Sequence, residues 1–340
     1  MNTWRMTVLV SLMIVATTTM VQAQETMDEK VAAGKWGSEL RLGANLLQSY
    51  YTDNWNGGET GSIVWNGTID GVAQKQVAEN WNWFNTLNLA YGQNHQQERE
   101  GDHLRWRKPD KTDDQVRAES ILRYTKSKWD PYLGLRFESL FFDQNDPRGD
   151  FTLNPLEFFE TVGVARMILD SEDKKFVFRV GATAHQMIRD MYLDEAFSVD
   201  PVNETASDIG VEMVFNYADK KLLERVEYKT QVRFYQPFYY SAKQDVEDLG
   251  AAYLESAGLP TDLADYTTVL DIDWENTFKA NITSVINVQL YLRWVYDKYD
   301  NSATPVVVDG EMHNVGTVNG SIRKAGQFKQ TMSLGLAYTF

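Results

Sequence analysis

The side chains in this sequence that could do chemistry are charged groups spaced two residues apart. Arg117 with Glu119, Arg136 with Glu138, Glu227 with Lys229, and Asp271 with Asp273 and Glu275 form such sets. Arg41, Arg179, Glu212, Arg233 and Arg293 occupy matching positions in similar segments. Period-two spacing places side chains on one face of an extended strand. Charges of both signs on facing strands have two uses. They can pair across an interior and close it. They can also line a narrow polar passage, where Asp271, Asp273 and Glu275 opposite a basic cluster set up a transverse field favouring charged or zwitterionic small solutes. The residue types alone leave both open.

Other reactive groups are few. His95, Glu98, Glu100, Asp102 and His103 share one polar stretch, but their spacing matches no metal-binding pattern. His185 has Thr183 and Met187 as same-face neighbours and no His-x-Ser partner, so nothing indicates an activated nucleophile. No phosphate- or dinucleotide-binding glycine motif occurs. The reading is therefore not an enzyme, with no cofactor, no metal and no nucleic-acid partner.

The elements that must position the charges are strands. Twelve segments alternate in polarity: Trp36–Tyr50, Ser62–Gly71, Trp81–Gly92, Asp114–Tyr124, Trp129–Phe142, Leu156–Leu169, Phe176–Ile188, Ile209–Tyr217, Val226–Gln236, Val269–Ala280, Val285–Tyr296 and a tail ending on Phe340. The face opposite the charges is apolar and aromatic. In Val269–Ala280, for example, Leu270, Ile272, Trp274, Phe278 and Ala280 oppose the acidic ladder. Leu156–Leu169 is apolar on both faces, which leaves its register open. Connections alternate long and short along the chain, as in membrane barrels with short periplasmic turns and long extracellular loops. Lys243–Ala257, inside the fifth long connection, has helical spacing and reads as a short helix, either a lid or a packed loop element.

Composition agrees. The 340-residue chain has 10 Trp, 17 Tyr, no Cys and a net charge of −15, most of which falls in the long connections. The mean hydropathy of −0.43 is too polar for helical spans but compatible with alternating strands. Trp36, Trp81, Trp83, Tyr124 and Trp129 fall at one set of strand ends, and Tyr50, Phe141, Phe238, Tyr239 and Tyr240 at the other, as two interfacial girdles. Residues 1–23 read as a cleaved export signal, with Arg5 before an apolar stretch and Val21-Gln22-Ala23 at the cleavage site. Residues 24–35 read as a short periplasmic segment and 36–340 as one barrel domain.

Asn54-Trp55-Asn56-Gly57-Gly58-Glu59 follows the first strand, Leu87-Asn88-Leu89-Ala90-Tyr91-Gly92 lies in the third, and Trp36-Gly37 opens the barrel. With the closing strand, these resemble a Bacteroidota-type outer-membrane family known as domain of unknown function 3078. Asn54, Trp55, Gly57, Gly58 and Glu59 carry its first-loop pattern, one residue tighter than usual. The resemblance implies an outer-membrane barrel and no particular activity. Similar barrels imply that Tyr338 and Phe340 form an assembly signal.

The sequence thus predicts an all-β, transmembrane, antiparallel up-and-down β-barrel of about 12 strands in the outer membrane. Its expected partners are outer-membrane lipid, lipopolysaccharide and the barrel assembly machinery. Its expected role is a narrow channel for small hydrophilic or charged solutes, or else a closed barrel acting through its acidic loops in structure, adhesion or assembly.

Overall fold

The protein is described from a computed structural model covering residues 34–53, 59–101, 103–143, 151–193, 201–223, 225–283 and 286–339. Twelve strands form the wall: β1 (Trp36–Ser49), β2 (Ser62–Ala78), β3 (Trp81–Glu100), β5 (Asp110–Tyr124), β6 (Asp130–Ser139), β7 (Leu156–Asp170), β8 (Lys174–Met191), β9 (Val202–Asp219), β10 (Val226–Tyr240), β11 (Asp271–Asn281), β12 (Ile286–Tyr296) and β15 (Gln327–Thr339). Each pairs antiparallel with its sequence neighbours. The circuit of pairings returns to its start at β15 and β1, through Arg41↔Thr339, Leu42↔Tyr338 and Gly43↔Ala337. The seam is short, but it satisfies the edge that an open sheet would leave bare.

Alternation sets which side chains face inward. In β3, Trp81, Trp83 and Leu87 are exposed, while Asn82, Phe84, Thr86 and Asn88 are buried in the lumen. Leu133, Leu135, Val162, Ile209, Val211 and Trp274 are likewise exposed on the outside. The register that sequence left open in the sixth strand is fixed by pairing. Phe159 lies opposite His185 and Arg136, so Glu157, Phe159 and Thr161 face inward, and Phe158, Glu160 and Val162 face outward.

Several strands run past their sequence limits. β2 continues to Ala78, through residues expected to turn, and β3 continues to Glu100, where it pairs with the short strand β4 (His103–Trp106). β8, β9 and β10 lengthen similarly at the long-loop end. Away from hydrocarbon both faces of a ribbon are wet. Backbone pairing then persists while the polarity alternation that marks a strand in sequence fades. β6 stops well short of its expected end: after Ser139 the chain leaves the ladder, and the amides of Phe141 and Phe142 donate to Asp114 at 2.6 and 3.1 Å.

The girdles form as ring clusters. Trp36 meets Trp83 at 5.4 Å, Trp81 meets Tyr124 at 5.3 Å, and at the other end Tyr91 meets Phe141 at 5.9 Å. Tyr240 departs from its girdle assignment. The register shifts between Pro237 and Tyr239, and such an irregularity reverses the facing of the residues beyond it. Tyr240 is therefore 2% exposed and points into the mouth.

The helix expected over Lys243–Ala257 is present as α1 (Lys243–Ser256), interrupted at Gly250 with φ +76°. Two further helices, α2 (Leu263–Tyr266) and α3 (Val315–Ser321), and the hairpin β13 (Val307–Val308) with β14 (Glu311–Met312) were not foreseen. Val246, Leu254, Leu259, Leu263, Tyr299, Met312 and Val318 join these pieces in one small apolar core, which makes the two long connections a folded cap.

Inside the wall, Tyr132 lies across Gly134 and Gly163. A Cβ built on Gly163 would stand 2.9 Å from the Tyr132 ring and 2.7 Å from Gly181 Cα. Glycine is required here for close approach. Gly163→Ala should destabilise the barrel by about 1–3 kcal/mol. A lowered temperature of conversion from the compact to the extended form on semi-native gels would show it; an unchanged temperature would count against this packing.

Candidate functional site

The inward charges predicted from sequence assemble into a belt across the lumen. Arg117 Nε lies 3.2 Å from Glu138, and Arg136 Nε lies 2.9 Å from the same carboxylate. Glu212 receives Arg136 at 3.3 Å and Arg233 at 3.1 Å. Arg293 grips Asp273 through two parallel hydrogen bonds of 2.9 and 2.8 Å, the bidentate geometry that suits guanidinium to carboxylate. Arg117 also reaches Glu275 at 3.6 Å. These two sit on β5 and β11, six places apart in a ring of twelve, so this contact crosses the full lumen. Arg179 and Glu119 make a second, shorter crossing at 3.3 Å from β8 to β5.

Burial shows how tightly the belt fills its level. Arg117, Arg136, Arg179, Glu212, Arg233 and Glu275 are all buried, with Glu275 at 1%. Removing one partner of such a pair leaves the other desolvated and uncompensated. Not every predicted charge joins. Arg41 turns back to Glu39 of its own strand at 3.0 Å. Glu227 and Lys229 share the inward face of β10 nearer its start at Val226. Asp271 lies above the belt, lining a chamber.

That chamber, about 200 Å³, is bounded below by Arg117, Arg136, Arg233 and Arg293 and above by Tyr299, Asp300, Asn301 and Ser302. A second space of about 240 Å³ lies beside it and shares Arg117, Glu138, Glu157, Arg293, Asp300 and Ser302. At the short-turn end a vestibule of about 760 Å³ is lined by Gln74, Gln76, Asn82, Arg123, Asp130 and Lys175, among others. Polar spaces therefore lie on both sides of the belt.

A stack of groups links the belt to the segment above it. The Arg136 guanidinium lies 3.9 Å over the Phe159 ring, and Phe159 stacks on His185 at 3.9 Å and 8°. His185 meets Asp208 through Nδ1 at 3.0 Å and Glu157 through Nε2 at 3.1 Å. Asp208 accepts from the Tyr235 hydroxyl and, at 3.3 Å, from Asn301 Nδ2. Tyr240 donates to the Asn301 carbonyl at 3.2 Å, and Arg189 donates to the Ser302 carbonyl at 3.3 Å while pairing with Asp143 at 3.2 Å. Residues 299–306 thus form a strap held down inside the mouth. Sequence placed His185 on one face with Thr183 and Met187 but did not mark its partners: Asp208 fell in an expected loop and Glu157 in the strand of open register.

The polar stretch with two histidines does something else. His103 lies 3.2 Å from Asp53, which also accepts the Leu104 amide at 2.8 Å. Glu98 and Glu100 pair with Arg107 and Arg105. Of the first-loop pattern only Glu59 is among the described residues; Asn54, Trp55, Gly57 and Gly58 lie outside them, as do Asp102, the leader 1–23 and Phe340. Tyr338 is placed by its pairing with Leu42.

Comparison with known proteins finds a family model that matches part of the chain and a set of barrels similar in fold. The family model described as "Protein of unknown function (DUF3078)" matches residues 46–144, the same family that the sequence resembles. No curated protein is similar in sequence. Among solved structures, the COG4313 outer membrane channel from Pseudomonas putida F1 is similar at 9% identity and TM-score 0.39, over 92% of this chain and 96% of that one. The beta domain of the Bordetella autotransporter Brka is similar at 8% identity and TM-score 0.30, over 90% of this chain and 98% of that one. The NanC porin is similar at 10% identity and TM-score 0.32, over 88% of this chain and 99% of that one.

Two outcomes follow from the geometry. Glu212→Ala leaves Arg136 and Arg233 without their shared carboxylate and should cost about 3 kcal/mol of unfolding free energy; a loss below about 0.5 kcal/mol, typical of an exposed site, would show the belt to be solvated. The Leu104 amide, with His103 second, holds the Asp53 carboxyl below its ordinary range. A depressed carboxyl stabilises the folded contact above the ordinary carboxylate pKa and loses that contribution as pH falls through the folded value. Exchange of the Leu104 amide, relative to its neighbours, should therefore accelerate only below the ordinary carboxylate range. Acceleration already well above that range would show that the Asp53 carboxylate does not control this contact.

Proposed function

We propose that this protein is an outer-membrane barrel whose lumen is closed at rest and whose role is carried by its capped outer end, as a structural, adhesive or assembly-interaction surface. The observation that carries this reading is the belt, in which Arg117 and Glu275 meet across the whole ring. Passive channels keep a continuous aqueous path, whereas this level is filled by paired side chains. The cap with its own apolar core supplies an ordered surface above it. A non-enzymatic role is supported by His185, whose two ring nitrogens both face carboxylates and leave none for a nucleophile. Its partners in this reading are outer-membrane lipid, lipopolysaccharide and the assembly machinery that receives the closing strand.

A second reading is favoured by the polar spaces on both sides of the belt. In it the barrel is a gated conduit for small hydrophilic or charged solutes, open only when the belt rearranges.

The purified mature protein in liposomes should give no swelling with small sugars or amino acids above protein-free vesicles. In planar bilayers it should be silent, while Arg117→Ala combined with Glu275→Ala should conduct. Steady conductance from the unaltered protein would replace the closed reading with the conduit.

A further inference from the structure

Several polar side chains on the outward face of the wall find partners on that face. Trp83 donates to Ser120 at 2.8 Å, Trp274 to Thr230 at 3.0 Å, and the Tyr228 hydroxyl to Asn276 at 2.8 Å. Outward cations lie at the rims. Lys75 sits over Trp36, Arg166 over Trp129, and Lys174 beside Asp219, all at the short-turn end. Lys111 lies at the long-loop end, 2.8 Å from Asp114.

Glu160 has none of this. Pairing places it directly opposite Leu135 on one side and Ala184 on the other, both outward. It lies one outward position inside the Phe137–Phe158 aromatic pair, whose rings are 5.2 Å apart. It is also six residues from Arg166, about 20 Å along the strand at 3.3 Å per residue. Its Oε2 is shielded and has no hydrogen-bond partner among the described residues. An ionisable side chain facing hydrocarbon is costly to keep and marks a site of function.

We propose that Glu160 is the anchor of a lateral docking site for a second membrane-embedded protein that presents a lysine or arginine at the same depth. Charge complementarity selects the occupant, since a lone carboxylate in an apolar surround is matched by a cation. A second copy of this chain supplies none, because the outward cations of the described strands all lie at the rims. A lipid ammonium is held at the interface, beyond the aromatic pair. The relief around Glu160 suits close approach: Ala184 faces it and Ala182 follows on β8, with Val162 beside them on β7. Small residues are what membrane-embedded interfaces use to bring backbones together.

The inference rests on the outward face meeting hydrocarbon, and the test separates the two. The mature protein is reconstituted with a single-span leucine-alanine peptide carrying one lysine at matching depth, and association is read by energy transfer. The controls are the same peptide with leucine in place of lysine, and barrels carrying Glu160→Gln or Glu160→Leu. Heat-modifiable gel migration verifies insertion of every barrel, so a failure of the membrane reading shows there first. The lysine peptide should bind the unaltered barrel about tenfold more tightly than it binds either variant, the scale of one desolvated charge pair. Equal binding in all combinations would overturn the proposal. So would dimerisation of the unaltered barrel that Glu160→Leu abolishes, because the carboxyl would then serve a second copy.

Discussion

The contact between Arg117 and Glu275 sets the terms for the interior. A ring of twelve strands is wider than the small barrels that ordinary side chains fill. Reaching across it takes the longest side chains available, and these end in charges. A charge taken from water is stable only with its partner and its hydrogen bonds in place, since desolvation costs several kcal/mol per ion. Three carboxylates meet this by sharing or forking: Glu138 serves Arg117 and Arg136, Glu212 serves Arg136 and Arg233, and Asp273 takes Arg293 in a fork. Glu275 is held by charge alone, 3.6 Å from Arg117 and 3.7 Å from Arg293, with no hydrogen bond to its oxygens among the described residues. Arginine suits this work because it stays charged and offers donors in several directions.

The same constraint reaches the mouth. Arg136 belongs to the belt and also covers Phe159, which stacks on His185. His185 in turn fixes Asp208, and Asp208 holds Asn301 of the strap. The strap is a loop, and loops in water are ordinarily mobile. This one is ordered from two sides. Its lower face is tied to wall residues by Arg189, Tyr240 and Asp208, and its flanking segments fold into the apolar core around Leu263 and Val318. Neither attachment depends on the lipid.

What sequence revealed follows from where each residue sits. Within the membrane zone the strands that carry the belt each have one apolar and one polar face, so alternation located Arg117, Glu138, Arg233 and Glu275 inside without reference to their partners. That pattern states the facing of a side chain and not its reach, so the crossing pairs were invisible until strand order was known. Above the membrane zone alternation carries no information. The extension of β3 to Glu100 and the start of β9 at Val202 were therefore read as loops, and Asp208 with them. Tyr240 was misplaced because the register shift between Pro237 and Tyr239 reverses facing; the signal was Pro237, which has no N–H for the ladder and marks a bulge inside a strand. In β7 the inward Phe159 serves the arginine stack while the outward Glu160 is polar, which inverts the usual signs and explains why this strand resisted a period-two reading.

Belt and strap act in series, and this limits what any opening motion can be. Rearranging Arg136 alone would strip Phe159 of its cation and expose Glu212 without one of its two partners. Lifting the strap alone would release Asn301 and Ser302 but leave Arg117 joined to Glu275 below. A continuous path through the lumen needs both layers to move. Phe159 and His185 sit between them, so a shift in either layer is felt by the other through a rigid aromatic stack. An opening that respects these contacts is concerted and requires an agent that compensates several buried charges together. A passing neutral solute cannot do that.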